Sequence, residues 1–452
     1  MNGISMNMTE GGIVKKLILF AIPVLVANIF QQLYNVADTA IIGNILGDRA
    51  LAAVGAAAPV YALLIGVAGG LTNGFAVIIS RYFGAKDEKH LDRSVTLTYM
   101  LSGIIAAIVT IISVIAVHPL LVALLTPPEI IEDTERYLRI ILMFSFIMVA
   151  YNMYAGMLLA IGNSVIPLVF LVASTFLNIG LDYFFVKNLG MGVAGAATAT
   201  VISQGAAVFS CYLYALKKCR TIVFKKSAFV WDKSMLKDLI TTGTSMCLMF
   251  SIVAVGSVIL QGAVNAIDTQ TITAHTAARK IDDIFTLPLS TISVAASTFA
   301  SQNYGAAKMD RVKKGIRYSI YMTTIWSAVS MLIIVLFRTA MVKALTGTTD
   351  QKVLDTASMY MIWNAAFFSV LGALLVLRAS LQSVGRKVVP VIASIIELVF
   401  KVVAAAFITR VLGYFGICIL EPVIWIICTV IVAIDYVLFL KKVNEPGYNE
   451  QL

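Results

Sequence analysis

About twelve stretches of this chain are each apolar enough, and close enough to 20 residues, to cross a lipid bilayer. Nothing else in the sequence constrains the fold as strongly. In hydrocarbon every backbone N–H and C=O must be satisfied within the protein, so only helices and closed barrels span. The alternation of apolar and polar side chains over ~10 residues that marks a barrel strand is missing. The expected fold is therefore an all-α integral membrane protein of 12 transmembrane helices. The spans fall near 15–42, 50–80, 94–117, 136–159, 163–187, 192–216, 236–263, 272–302, 316–338, 357–381, 388–410 and 415–440. With 60% hydrophobic and 13% charged residues, the soluble globular classes are excluded.

The net charge of +10 would suggest nucleic acid in a soluble chain. Its placement suggests topology instead. One side of the membrane collects Lys15 and Lys16, Arg81 to Arg93, a cluster across 217–237, another across 308–317, Arg386 with Lys387, and Lys441 with Lys442. The other side holds scattered cations such as Arg49, Arg136 and Arg338. The positive-inside rule makes the first set cytoplasmic, with both termini inside, in the cytoplasmic (inner) membrane of a prokaryote. No nucleic-acid partner is expected. The five cysteines show no metal spacing and read as free packing thiols.

The chain repeats itself. IISRYFGAKD (78–87) returns as FASQNYGAAKM (299–309), with Gly84 matching Gly305 at an offset of 221. LLAIGNSVIP (158–167) returns as SLQSVGRKVVP (380–390), with Pro167 matching Pro390 at an offset of 223. Six helices separate the copies, so the two halves share one orientation. The expected domains are an N-lobe at 1–220, a cytoplasmic linker at 221–235 and a C-lobe at 236–452. Parallel six-helix halves suit an alternating-access transporter with a path at their interface.

Polar side chains at membrane depth are costly and mark function. Asp38 lies ~23 residues from Lys15, about 35 Å along a helix. Asp182 lies at a similar depth in the fifth span, and Asn178 is one turn before it on the same face. The sixth span, GVAGAATATVISQG, brings Thr198, Thr200 and Gln204 on a small-residue helix that permits close approach. Two carboxylates, an amide and a hydroxyl suit a proton or a small hard cation. The plainer alternatives are an Asp38 in the headgroup region and an Asn178 that serves as interhelical glue. In the second half, Glu397 and Lys401 stand at i,i+4 and offset each other's burial. Lys280 with Asp282 and Asp283 reads equally as a vestibule site or a solvated helix end. Pro23 kinks the first span, as a hinge or as a static bend.

No Walker A pattern, zinc spacing among His90, His118 and His275, or long soluble domain is present, so no enzyme activity and no cofactor are expected. Energy must come from an ion gradient or from the substrate's own gradient.

The whole resembles the MATE (multidrug and toxic compound extrusion) family, in its DinF-like prokaryotic branch. The residues that carry the resemblance are PVLVANIFQQLYNVADTAIIG in span one, SRYFGAK after span two, LLAIGNSVIP between spans four and five, and LNIGLDYFFV followed by GVAGAATAT. The resemblance implies a secondary active antiporter that expels amphipathic, cationic drugs in exchange for H⁺ or Na⁺. It places the coupling cation at Asp38, Asn178, Asp182 and Thr200, with Na⁺ an alternative at the first three. It implies a substrate cavity at Gln31, Tyr34, Tyr137 and Asn152, and a bending proline at Pro23. The C-lobe Na⁺ site of the NorM-like branch is not expected, because span seven offers Gln261 and span ten has no acid. The roles of Lys280, Asp283, Glu397 and Lys401 stay open. H⁺ is preferred, because two adjacent carboxylates resist being ionised together. A monomer in the lipid bilayer is expected. The rival readings are a lipid-linked precursor flippase of the same superfamily, a major-facilitator carrier and a non-transporting membrane sensor or scaffold. The flippase would need a basic cavity, and the carrier's G-x-x-x-D-R-x-G-R-R loop is absent.

Overall fold

The computed structural model describes residues 5–124 and 126–445, apart from the side chains of 408–410. The described residues contain helices and no strands. Ten helices are long and apolar enough to span alone: α1 (Ile13–Leu46), α2 (Asp48–Ala85), α3 (Glu88–Ala123), α6 (Val165–Asp182, continued by a π-helical turn at Tyr183–Asn188), α7 (Val193–Lys218), α8 (Lys233–Asn265), α9 (Thr269–Gly305), α10 (Met309–Thr346), α13 (Val388–Val403, continued by a π-helical turn at Ala404–Ile408) and α14 (Thr409–Val443). Two more spans are bent pairs: α4 (Pro128–Met143) with α5 (Ser145–Ala160), bent by 50°, and α11 (Gln351–Ala366) with α12 (Phe368–Ser383), bent by 51°. Counting each bent pair as one span gives twelve among the described residues, the number expected. The breaks inside the fourth and tenth were not foreseen.

The helix ends follow local chemistry. Lys86 adopts a left-handed conformation (φ 57°) and stops α2, and the Asp87 carboxylate then accepts the His90 N–H at 3.0 Å and caps α3. Asp268 caps α9 in the same way, accepting from the Thr271 N–H at 2.8 Å. Long apolar side chains such as Ile115, Phe176 and Leu336 point outward, while the interior mixes large apolar side chains such as Phe75 and Phe299 with small and polar ones such as Ala197 and Asn178. This is the burial pattern of a helix bundle solvated by lipid.

The chain forms two compact units. The first comprises Met1–Asn7 and Ile22–Cys247, the second Met8–Ala21 and Leu248–Leu452. Compared with the expected lobes, the linker and the start of α8 go with the first unit. The linker is pinned there by Arg93 donating to Asp232 (2.8 Å), Lys225 donating to Asp92 (2.7 Å) and Tyr99 donating to the Ile222 carbonyl (3.0 Å). Gly70 and Gly74 of α2 meet α8 backbone to backbone: a Cβ on Gly74 would sit 2.4 Å from the Gly243 Cα. The changeover within α1 falls between Ala21 and Ile22, beside Pro23, through which the helix is continuous.

The repeat is structural as well as sequential. Lys86 and Ala307, 221 apart, are the positive-φ residues other than glycine among those described (57° and 54°). Gly162 and Gly385 (83° and 90°) and Gly190 and Gly413 (63° and 55°) are 223 apart. Each half therefore repeats the same turns, the same bent span and the same π-helical turn. The chain ends, expected to be cytoplasmic, lie outside the described residues.

Candidate ion and substrate site

The polar centre of the first unit is built by α1, α6 and α7. On α6, Phe176 and Leu177 face outward, while Thr175, Asn178 and Asp182 form the buried face. Asn178 and Asp182 have no exposed surface, and Asp38 on α1 is 7% exposed. The carboxyl groups of Asp38 and Asp182 lie within hydrogen-bonding reach of each other. Neither Asp182 oxygen nor Asp38 Oδ1 finds a donor elsewhere, and both polar atoms of the Asn178 amide are unpartnered. A hydrogen bond between two carboxyls contains a proton, and two bare carboxylates in that position would repel. The arrangement accepts a proton, or a small cation ligated by the same oxygens. Thr200 joins it from α7 by accepting the Tyr34 hydroxyl at 3.0 Å. No group of three His, Cys, Asp or Glu that could hold a metal ion occurs among the described residues.

Beside this centre lies a cavity of about 320 Å³ lined from α1, α2, α5, α6 and α7. Gln31, Tyr34 and Asn152 line it, together with Tyr61, Tyr151 and Gln204. No charged side chain lines it among the described residues. Tyr137, expected in the cavity, is buried instead within electrostatic range of Asp38 and Asp182. Thr198 bonds the Ala194 carbonyl of its own helix at 2.7 Å. Tyr61 was not singled out from the sequence. Its hydroxyl accepts from Gln204 at 3.3 Å, and it too lies within range of Asp38.

The second unit holds a different polar centre. Arg279 on α9 donates to both oxygens of Glu421 on α14, at 2.9 and 3.1 Å, and the Tyr360 hydroxyl of α11 donates to Glu421 at 2.7 Å. Lys401 donates to Glu397 at 3.1 Å, so the expected i,i+4 pair on α13 forms. It is not isolated. Arg378 on α12 donates to the same Glu397 through two nitrogens at 3.2 Å, and Lys401 stands 4.0 Å from Glu421. Lys280 and Asp283 are exposed and form no ion pair with each other. Their neighbours Arg279 and Asp282 are the residues that turn inward. Gln261 donates to Asn265 on its own helix at 2.8 Å, at an exposed position.

This bundle, with a buried carboxyl pair and an uncharged cavity that share the neighbouring tyrosines Tyr34 and Tyr61, has the plan of a membrane transporter. The MatE family model matches residues 23–184 and 245–407, one copy in each half, and the chain belongs to that family. It is 26% identical over 86% of its length to the "Probable multidrug resistance protein YoeA" of Bacillus subtilis, covering 85% of that protein. It is 24% identical to the "Probable multidrug resistance protein NorM" of Thermotoga maritima over 85% of this chain and 83% of that one. Among solved structures, a multidrug resistance MATE transporter in an outward-facing conformation superposes with a TM-score of 0.91, at 23% identity, over 98% of this chain and all of that one. A MOP superfamily transporter from Pyrococcus furiosus gives 0.89 at 22%, with the same coverage. The chain is thus a multi-pass MATE transporter with an efflux role, and not an enzyme.

Proposed function

We propose that this protein is a cation-coupled antiporter that exports amphipathic, cationic small molecules. The observation that carries this reading is the Asp38–Asp182 pair, two buried carboxyls in mutual reach with no ion-pair partner among the described residues. Such a pair holds one proton or one small cation in one state of the cycle and gives it up in another. Coupling follows if ion and substrate favour different states or compete for neighbouring groups. H⁺ is the preferred ion, since two adjacent carboxylates resist being ionised together, and Na⁺ at Asp38, Asn178 and Asp182 is the alternative. The cavity supports the substrate class. Its volume of about 320 Å³ is at the lower end for drug-sized ligands. Its tyrosine rings attract organic cations through their π-faces, and the neighbouring acid pair adds negative potential. The distribution of Lys and Arg supports a cytoplasmic membrane location with both termini inside. Pro23 is the expected hinge of α1. The protein acts as a monomer, without a cofactor.

The test is uptake of ethidium into inverted vesicles under an imposed pH gradient, lumen acidic, and then an Na⁺ gradient, lumen high, for wild type and Asp38→Asn. Transport driven by the pH gradient and lost in the variant is the expected result. Transport driven by Na⁺ alone would make the centre a metal-ion site. An Asp38→Asn variant that transports like wild type would sink the coupling role.

A further inference from the structure

The two polar centres stand at equivalent places in the repeat, and their chemistry is inverted. At the offset of 221 that relates α2 to α9, Tyr61 maps onto Asp282. At the offset of 223 that relates the later helices, Tyr137 maps onto Tyr360, Asn178 onto Lys401 and Thr198 onto Glu421. Asp38 and Asp182 map onto Ile259 and Ala405, so the second half has lost both acids of the first. It has gained others together with fixed cations.

The charges of the first centre are open. Asp38 and Asp182 are carboxyl groups, and the groups within electrostatic range of them are tyrosines. The charges of the second centre are closed. Arg279, Arg378 and Lys401 pair with Glu397 and Glu421, and Asp282 lies within electrostatic range of Arg279. Glu421 accepts from Arg279 and Tyr360, and Glu397 accepts from Arg378 and Lys401, so both are saturated by donors of this chain. Asp282 is 6% exposed and its Oδ1 has no partner, but it lies in the field of Arg279 on the preceding turn. The remaining titratable groups facing the cluster are His275, Tyr414, Cys418 and Cys428, with Asp283 at its exposed edge. Lys401 is seated by design of the backbone around it: at Gly256 of α8 a Cβ would lie 2.8 Å from the Lys401 Cδ, so a side chain there would displace its stem.

We infer that Lys401 is a tethered counter-cation, which occupies in the second half the position equivalent to the ion-binding Asn178 and makes that half a permanently filled image of the ion site. The second centre then exchanges no ion during transport, and the ion stoichiometry is set by the Asp38–Asp182 centre alone. This rests on the antiport reading above only in taking the first centre as the exchanging one. The closed charge set itself stands independently of it.

The experiment is pH-difference infrared spectroscopy of the full-length protein in lipid nanodiscs, in Na⁺ and in choline buffers, following the carbonyl band of protonated carboxyl groups. In wild type we expect a pH-dependent band that is lost in Asp38→Asn and unchanged in Asp282→Asn and Glu421→Gln. In Lys401→Asn, which recreates the Asn178 chemistry, we expect a second band of similar amplitude, sensitive to pH or to Na⁺. A wild-type band that disappears in Asp282→Asn or Glu421→Gln would overturn the inference, because the second centre would then exchange protons. So would a folded Lys401→Asn protein with no new band. If Lys401→Asn or Glu421→Gln does not fold, Asp282→Asn, which breaks no ion pair, still decides. A band that survives Asp38→Asn and both second-half substitutions contradicts the antiport reading and leaves the closed second centre standing.

Discussion

Phe144 and Phe367, 223 positions apart, are the residues at which the two bent spans break, by 50° and 51°, with nearly the same backbone angles (φ −105° and −111°). Neither break has a proline or glycine at it. A bend that recurs at the same repeat position belongs to the architecture of the half rather than to one weak sequence. In the first unit it carries α5, whose Asn152 reaches the cavity, away from the line of α4, whose Tyr137 stays beside the acids.

Asp182→Asn removes one of the two carboxyls proposed to share the ion. The asparagine keeps the shape, so the fold is expected to survive, with thermal unfolding in detergent close to wild type. Gradient-driven efflux is expected to fall by on the order of tenfold or more, within the usual range of coupling energies. The readout is efflux from vesicles with and without a pH gradient. An undiminished response to the gradient would place the coupling ion elsewhere.

Gly74→Ala tests the packing that assigns the start of α8 to the first unit. The added methyl would meet the Gly243 backbone at 2.4 Å, and a backbone cannot rotate away as a side chain can. Overpacking of this kind costs about 1–3 kcal/mol. A lower midpoint of thermal unfolding is expected, whereas Gly55→Ala, with nothing within 4 Å of its Cβ, should leave it unchanged.

How far the sequence reaches is clear from particular residues. Asp38, Asn178 and Asp182 were legible because a carboxyl or amide inside an apolar run has few explanations, and their helical spacing fixes a shared face. Tyr61 was not, since a tyrosine in an apolar helix is ordinary. In α9 the choice between Arg279–Asp282 and Lys280–Asp283 turns on one residue of helical phase, about 100° of rotation, and mixed flanking residues left that phase unread. Glu421 and Arg378 took their meaning from partners 142 and 19 residues away, contacts that only the fold creates. The bends at Phe144 and Phe367 had no sequence signal of their own.

Arg279 is half-buried and its partner Glu421 is buried, so removing the arginine leaves a buried carboxylate short of its main counter-charge. Glu421→Leu is expected to destabilise the second unit by about 3–5 kcal/mol. The double variant Arg279→Met with Glu421→Leu should recover much of that loss, because an apolar pair of similar volume replaces an ion pair at little net cost. Thermal unfolding of the four proteins in one detergent gives the coupling energy. Strict additivity of the two single losses would show that the pair does not interact.

Asp232, at the end of the linker ahead of α8, supplies the pH dependence. Its carboxyl is held below the usual carboxylate range, chiefly by the Met235 N–H it accepts and then by Arg93 at 2.8 Å. A carboxyl whose folded-state value is lowered stabilises the fold above its unfolded value, roughly 3.9, and loses that contribution as pH falls through the folded value. The pinning of the linker on α3 is therefore expected to hold at neutral pH and to loosen only in strong acid. Hydrogen exchange across residues 219–232 should be slow at pH 7 in wild type. It should be faster in Asp232→Asn at the same pH, and after correction for the intrinsic exchange rate the two proteins should converge as pH falls through the lowered folded-state value of Asp232. Equal protection in wild type and variant at pH 7 would mean that Lys225 and Asp92, with the Tyr99 hydroxyl, hold the linker without help from Asp232.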